Sequence, residues 1–225
     1  MAQLGAAWEY FVQVAVNISG GLNVTLGLFG FTILLSIPLG LLVSLGAMSS
    51  FKPLSWLVKG YIWILRGTPL LLQLMFVYFG LPMLFQINID NFTAAVIAFV
   101  LNYAAYFAEI FRAGIQSIDK GQFEAAKALG LSGVQTMWKI IIPQTVSRIL
   151  PPVGNEAITL VKDTSLVSII ALSDIMRQTY NIVMRETNVA AFIVPAVFYL
   201  IMTFILTKLF DFLEKRFSRS ERFEN

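Results

Sequence analysis

The feature that most constrains this chain of 225 residues is a series of long stretches without a charged side chain. Residues 10–51 contain no charge, and their most apolar part is Leu22–Ala47. A helix of about 20 apolar residues crosses the hydrocarbon of a bilayer, where backbone groups must be paired within the segment. The sequence therefore predicts an all-α, polytopic membrane helical bundle. Its five transmembrane helices are expected over residues 22–47, 60–84, 92–114, 149–172 and 189–212.

The composition excludes several classes of protein. Charged residues make up 13% of the chain, about half of what an average soluble domain carries. The chain has no Cys and no His, so thiol or histidine catalysis, Cys- or His-ligated zinc and disulfides are excluded. We therefore expect no metal site, no cofactor and no catalytic residue.

The distribution of Lys and Arg predicts the orientation in the membrane. The first and third loops and the C-terminal segment together hold 13 of the 16 basic residues, and basic residues mark the cytoplasmic side. The N-terminus is therefore expected outside and the C-terminus inside the cell. We expect an extracytoplasmic interfacial segment over 1–21, a transmembrane domain over 22–216 and a cytoplasmic tail over 217–225. The basic excess is thus a topology signal, and no nucleic-acid partner is expected.

The third loop contains the signals of a helix, a tight turn and a second helix. Asp119 suits the N-cap of a helix that begins near Lys120, and Gly130 suits the left-handed residue after its end. Ser132 and Gln135 then have the spacing of a capping box. The loop over about 119–142 is therefore predicted to form two short cytoplasmic helices.

The second of these helices is expected to end near Ile142, because Pro143 follows. Two helices of this size cannot bury all their apolar side chains alone. They form either a docking element for a cytoplasmic partner or an interfacial hairpin under their own bundle. DNA binding is not expected, since the loop is too small for a core of its own and its charge is mixed. The apolar side chains are those of Phe123, Leu129, Val134, Met137 and Trp138.

Three motifs resemble those of ABC-importer permeases. The first is similar to the EAA signature, with Ile142 in place of the usual Leu before Pro: Glu124-Ala125-Ala126, Gly130, Ile140, Ile142 and Pro143. The second resembles the polar amino-acid subfamily: Arg66-Gly67-Thr68-Pro69-Leu70-Leu71-Leu72-Gln73. The third is Asn155-Glu156 with Lys162-Asp163-Thr164-Ser165-Leu166. Together with length and topology, the resemblance covers nearly the whole chain.

This resemblance implies a permease subunit of a bacterial ABC importer of the polar amino-acid uptake family. It implies four kinds of partner: two ABC ATPase subunits, a second permease (the same chain or a homologue), an extracytoplasmic amino-acid-binding protein and a polar or cationic L-amino acid as substrate. The third loop would then carry the coupling helix, with Glu124, Ala125, Ala126 and Gly130 as the ATPase-coupling residues. The chain has no G-x-x-x-x-G-K-[ST] phosphate loop, so nucleotide would bind to the partner ATPase.

Ionisable residues inside a membrane are costly and point to function. Glu156 and Asp163 lie seven residues apart on one face of the fourth span, and Lys162 is expected to pair with Glu109 or a neighbouring helix. The two acids form either a pocket for an amino or cationic group or a neutralised interhelical network. Glu109 and Arg112 are expected to form a structural ion pair or a gate. The candidate substrate path consists of Thr68, Gln73, Asn102, Tyr106, Asn155, Glu156, Lys162, Asp163, Thr164 and Ser165.

Prolines predict irregular backbone in two spans. Thr68 and Pro69 match the N-cap and first residue of a helix, so the second span should be a short helix, a break and a longer helix. In the fourth span, Pro151, Pro152 and Gly154 predict either a kink or break, or a plain helix start.

The alternative function is an ion-gradient-driven secondary transporter or channel, in which Glu156 and Asp163 would hold protons or cations. Such a protein has no need of an exposed cytoplasmic helix pair with an EAA pattern. A small membrane enzyme is disfavoured, because the sequence contains no recognisable nucleophile–base pair or metal-ligand cluster.

Overall fold

The computed structural model describes residues 1–221, which form α-helices joined by short connections and irregular helical turns. This agrees with the predicted all-α bundle. The α-helices are α1 (Ala2–Ser19), α2 (Leu22–Ala47), α3 (Lys52–Gly67), α4 (Leu70–Met75), α5 (Leu81–Phe85), α6 (Asn91–Gln116), α7 (Lys120–Ala128), α8 (Gly133–Thr136), α9 (Ile142–Asp163), α10 (Ile175–Glu186) and α11 (Ile193–Glu221). The π-helical turns are Phe76–Gly80 and Met137–Ile141, and the 3-10 turns are Thr164–Ile170 and Val189–Phe192.

Within residues 1–221, three helices are long and apolar enough to cross a membrane, and a bent helix pair is a fourth candidate. The three are α2, α6 and the segment Val189–Phe217. The bent pair is α3 with the continuous helical segment Leu70–Phe85, and the helix axis bends by 106° between the two halves. Helix α9 is not among these candidates, since it carries Arg148, Glu156, Lys162 and Asp163.

The centre of the bundle is the packing of α2 on α6, with α9 lying against both α6 and α11. Helix α6 contributes a column of buried aromatic side chains that includes Phe99, Tyr103 and Phe107. Helix α2 approaches this column through small residues. At Gly40 an added Cβ would lie 2.8 Å from the Phe107 Cβ and 3.0 Å from the Ala104 carbonyl oxygen. The two helices therefore meet at backbone distance at this point.

The N-terminal helix is part of the packed structure. Helix α1 contacts α10 and α11, and Val14 and Ile18 lie in a buried apolar cluster with Ile175 and Ile182. Asp174 caps α10 by accepting hydrogen bonds from the next two free backbone N–H groups. Burial raises the pKa of Asp174 to about 6, so this cap loses its charge in mildly acidic medium.

The predicted helix–turn–helix of the third loop is confirmed in its local detail. Asp119 Oδ1 accepts a hydrogen bond from the Gly121 N–H at 2.6 Å, at the start of α7. Gly130 follows with φ of 73°, the left-handed conformation expected there. Ser132 and Gln135 form both hydrogen bonds of a capping box at the start of α8. Short-range capping rules were sufficient to predict these features.

Three predictions about Pro residues and helix ends were wrong. The second cytoplasmic helix does not end at Pro143, because α8 continues through the π turn into α9, where Pro143 occupies the first turn. Pro151 and Pro152 lie inside α9 without breaking it. Helix α9 therefore begins seven residues before position 149, neither as a plain start there nor as a broken helix.

The close approach of α2 to α6 gives a testable prediction about stability. We expect Gly40→Ala to push these helices apart and to lower the free energy of unfolding by about 1–3 kcal/mol. Gly30→Ala is a matched control in the same helix, where an added Cβ meets nothing within 4 Å. This control should be neutral or stabilising by up to about 1 kcal/mol, since Ala favours helix. Thermal unfolding midpoints in detergent would test this, and equal midpoints for the two variants would contradict it.

Candidate functional site

The bent helix pair is held open by side-chain hydrogen bonds at its break. The Gln73 amide donates to the carbonyl oxygens of Leu65 at 2.8 Å and of Thr68 at 3.1 Å. The Asn102 amide on α6 donates to the same Leu65 oxygen at 3.0 Å and to Gln73 Oε1 at 2.9 Å. The last carbonyls of a helix have no partner within it, so these two amides supply partners for them. The break is thus stabilised by specific side chains of α4 and α6.

The predicted cap at this break was wrong by one residue. Pro69 rather than Thr68 occupies the N-cap of α4, and it makes no side-chain cap. The Thr68 hydroxyl instead donates to the Ile64 carbonyl at 2.9 Å, so it closes α3. The expected short first half is also wrong, because α3 has 16 residues and begins at Lys52.

A cavity of about 450 Å³ lies between this break, α6 and α9. It brings together five of the predicted substrate-path residues: Thr68, Asn102, Tyr106, Glu156 and Asp163. Its volume is in the range of small-molecule sites. Apolar walls with two convergent carboxyl groups suit a small ligand that carries positive charge.

Tyr103 also lines this cavity, although it is not among the predicted substrate-path residues. Its ring is 2% exposed, and its hydroxyl donates to Asp163 Oδ2 at 2.8 Å. Tyr103 therefore fixes the orientation of that carboxylate. The two residues are 60 positions apart, and no local pattern pairs them. The only hint was the position of Tyr103 next to Asn102.

Five other predicted path residues do not line this cavity. Gln73 lies behind it, in the hydrogen bonds of the break. Asn155 and Lys162 are exposed on another side of α9. The hydroxyls of Thr164 and Ser165 donate to backbone carbonyls one turn earlier, both at 2.8 Å. These side chains serve the helix or face away from the cavity.

A second cavity of about 440 Å³ adjoins the first, and both are lined by Tyr106 and Glu156. Glu109 lines the second cavity and binds Arg112 at 2.5 Å, so the predicted ion pair is confirmed, and Lys162 does not pair with Glu109. Arg66, at the last turn of α3, also lines the cavity, with its Cζ 5.3 Å from the centroid of the Tyr106 ring.

The helix pair α7–α8 exposes most of its side chains. Ala126 is buried, whereas Glu124 and Ala125 are exposed. Three large apolar side chains are also exposed in the single chain: Leu129 at 78%, Val134 at 69% and Trp138 at 69%. Exposed apolar side chains that lie within ten residues of one another are a candidate interaction site.

Comparison with known proteins gives a consistent family. Residues 36–219 match the family described as binding-protein-dependent transport system inner membrane component. The chain is 41% identical over 202 residues to the arginine transport system permease protein ArtQ of Bacillus subtilis, covering 89% of this chain and 92% of that one. It is 44% identical over 158 residues to the glutamine transport system permease protein GlnP of Escherichia coli strain K12, covering 69% and 72%.

Solved structures agree. A chain in the crystal structure of an amino acid ABC transporter with histidines is 39% identical, with a TM-score of 0.84, covering 94% of this chain and 97% of that chain. A chain of the inward-facing methionine ABC transporter MetNI has a TM-score of 0.70 at 17% identity, covering 91% of this chain and 95% of its own length, which shows likeness of fold.

The Tyr103–Asp163 hydrogen bond predicts a stability effect. Tyr103→Phe keeps the ring and leaves the partly buried carboxyl group of Asp163 without this donor, so the free energy of unfolding should fall by about 1–2 kcal/mol. Tyr78→Phe is the control, because the Tyr78 hydroxyl makes no hydrogen bond to any described residue. Thermal midpoints of both variants in detergent would test this. A Tyr103→Phe midpoint no lower than that of Tyr78→Phe would count against the hydrogen bond.

Proposed function

Because the chain belongs to the family of binding-protein-dependent transport system inner membrane components, it is a membrane permease subunit, and we propose that it forms the translocation path of an ATP-driven amino-acid importer. The observation that carries this proposal is the cavity at the break between α3 and α4, where Glu156 and Asp163 converge. As a permease subunit the chain is a transport component and no catalyst; hydrolysis of ATP belongs to a partner.

We propose five membrane crossings with the N-terminus outside and the C-terminus inside. The crossings are α2, the bent pair of α3 with Leu70–Phe85, α6, α9 and α11. Helix α9 is included because it lies against α6 and α11 along the bundle, and its charged groups face cavities in part. This orientation places the basic residues between α6 and α9 on the cytoplasmic side: Lys120, Lys127 and Lys139. Residues 1–21 then lie at the outer interface and 217–225 inside.

The cavity is proposed to bind a polar or cationic L-amino acid. Two carboxylates in a partly apolar site favour an ammonium or guanidinium group, and Asn102 and Thr68 add polar groups close by. A membrane-embedded carboxylate without a cation partner is costly, so a positively charged substrate would offset that cost. Four predicted path residues lie outside this cavity: Asn155, Lys162, Thr164 and Ser165. We propose that they take part in the path only at other stages of transport.

The helix pair α7–α8 is proposed as the element that receives movement from an ATPase subunit. Its support is the exposed apolar surface of Leu129, Val134 and Trp138 beside the EAA residues Glu124, Ala125 and Ala126. Both helices are capped at their N-termini by side chains, which fixes the turn between them. Because α8 runs without interruption into α9, a push on the pair would reach Glu156 along one helix.

The proposed assembly contains two ABC ATPase subunits, a second permease that is the same chain or a homologue, and an extracytoplasmic amino-acid-binding protein. Movement of α7–α8 would tilt α9 and open the cavity alternately to the two sides. Membership of the family argues against the ion-gradient-driven alternative.

The role of Glu156 can be tested by its charge. We expect Glu156→Gln to reduce the preference for L-arginine over L-glutamine by roughly tenfold, since one charge-assisted contact is lost. Substrate-stimulated ATPase activity of the reconstituted complex, with binding proteins for each amino acid, is the measurement. Glu214→Gln removes an acid from the cytoplasmic part of α11 and is the control. An unchanged preference in Glu156→Gln would exclude Glu156 from the substrate site.

The coupling role can be tested at Gly130, whose φ of 73° strongly disfavours a β-branched residue. Gly130→Val should distort the turn and reduce transport-coupled ATP hydrolysis at least about tenfold. Gly130→Asn should largely retain it, because Asn tolerates this conformation and an added Cβ meets nothing within 4 Å. Equal coupling in the two variants would contradict the proposal that the geometry of α7–α8 transmits the movement.

A further inference from the structure

Two carboxylates account for the positive end of an amino acid and leave its carboxylate without a partner. We propose that the guanidinium of Arg66 receives the α-carboxylate of the transported amino acid. This inference rests on the proposed function, and it adds a residue that distinguishes an amino acid from a simple amine.

Arg66 is positioned by the break in the second span. It lies in the last turn of α3, directly before Gly67 and Thr68, and it is exposed towards the second cavity. Its guanidinium rests on the face of Tyr106, a ring that lines both the 440 and the 450 Å³ cavities. A cation on an aromatic face keeps its N–H donors free for an anion in the ring plane of the guanidinium.

Within residues 1–221, Arg66 differs from the neighbouring arginines on α6 and α9, because its hydrogen-bonding groups are unused. Arg112 is bound to Glu109 and donates to Gln116 Oε1 at 2.5 Å. Arg148 donates to the Ser117 carbonyl and, at 3.2 Å, to its hydroxyl. Arg66 makes no ion pair and no hydrogen bond among the described residues. Lys162, the other cation on α9, is exposed and does not line the 440 Å³ cavity.

The charges around Tyr106 match a zwitterion. Glu156 lines both cavities, so Arg66 and Glu156 border one continuous space from the side of α3 and the side of α9. A ligand with its carboxylate on Arg66 would direct its ammonium or cationic side chain towards Glu156 and Asp163. The planar fork of Arg is suited to both oxygens of a carboxylate, which a Lys cannot match in the same geometry.

The experiment compares amino acids with their decarboxylated amines. The purified permease–ATPase complex would be loaded with radiolabelled L-arginine, which would then be displaced by L-arginine or agmatine and, in a second series, by L-lysine or cadaverine. Wild type should prefer the amino acid, because a site built for a carboxylate rejects an analogue that lacks it. In Arg66→Gln this preference should fall at least about tenfold, mainly through weaker binding of the amino acid, and Arg66→Lys should recover part of it.

Lys59→Gln is the matched control. Lys59 lies seven residues before Arg66 in α3, and its substitution by Gln removes the same charge. Of the three cavities described, Lys59 lines only the one of about 510 Å³. It should retain the wild-type preference. A gate or a purely structural role for Arg66 would change the affinities for the amino acid and for the amine alike. An unaltered ratio of these two affinities in Arg66→Gln overturns the inference and leaves the proposed function standing. Failure of wild type to bind either amino acid would overturn the proposed cationic substrate class and the inference together.

Co-purification of the ATPase and the thermal midpoint establish that each variant is folded. If Arg66→Gln does not assemble, Arg66→Lys carries the test. It keeps the charge and loses the fork, so a preference equal to that of wild type would then overturn the inference.

Discussion

The arrangement of this permease depends on one constraint, that backbone groups in a membrane must be hydrogen-bonded to protein where water is absent. The chain breaks a helix between Gly67 and Leu70, inside an apolar region, and thereby frees carbonyl groups at the end of α3. The amides of Gln73 and Asn102 satisfy them. Without those two side chains the bend of 106° would be costly, and the cavity beside it would not be held open.

The break and α9 supply different groups of the site. The break brings Arg66 and Thr68 to one wall, and α9 brings Glu156 and Asp163 to another, while Tyr106 on α6 joins the two spaces. Because α9 continues directly from α8, its carboxylates belong to the element that is proposed to receive movement from the ATPase. Arg66 and Thr68 belong to an element that does not contain that helix pair. A relative movement of α9 and the break would therefore change the distance between the groups proposed to hold the two ends of a substrate.

Local sequence patterns were reliable where a few neighbouring residues decide the structure. The Asp119 cap, the left-handed Gly130 and the capping box of Ser132 with Gln135 were all predicted from spacing alone. The same rules failed at Pro143 and Pro151, where they predicted an end and a possible break. Proline disfavours helix, but packing of α9 against α6 and α11 keeps the helix continuous, and local propensity cannot contain that contribution.

The sequence by itself determined the membrane environment, the fold class and the local structure of the helix pair α7–α8. Uncharged runs of helical length, the distribution of basic residues and the caps of α7 and α8 are properties of the chain read in order. Only the tertiary structure decided which polar residues share the site. Tyr103 and Asp163 are 60 positions apart, and Lys162 is turned away although it adjoins Asp163 in sequence. The reason is physical: a helix places side chains around its axis, and only the packing of its neighbours decides which of those directions opens into a cavity.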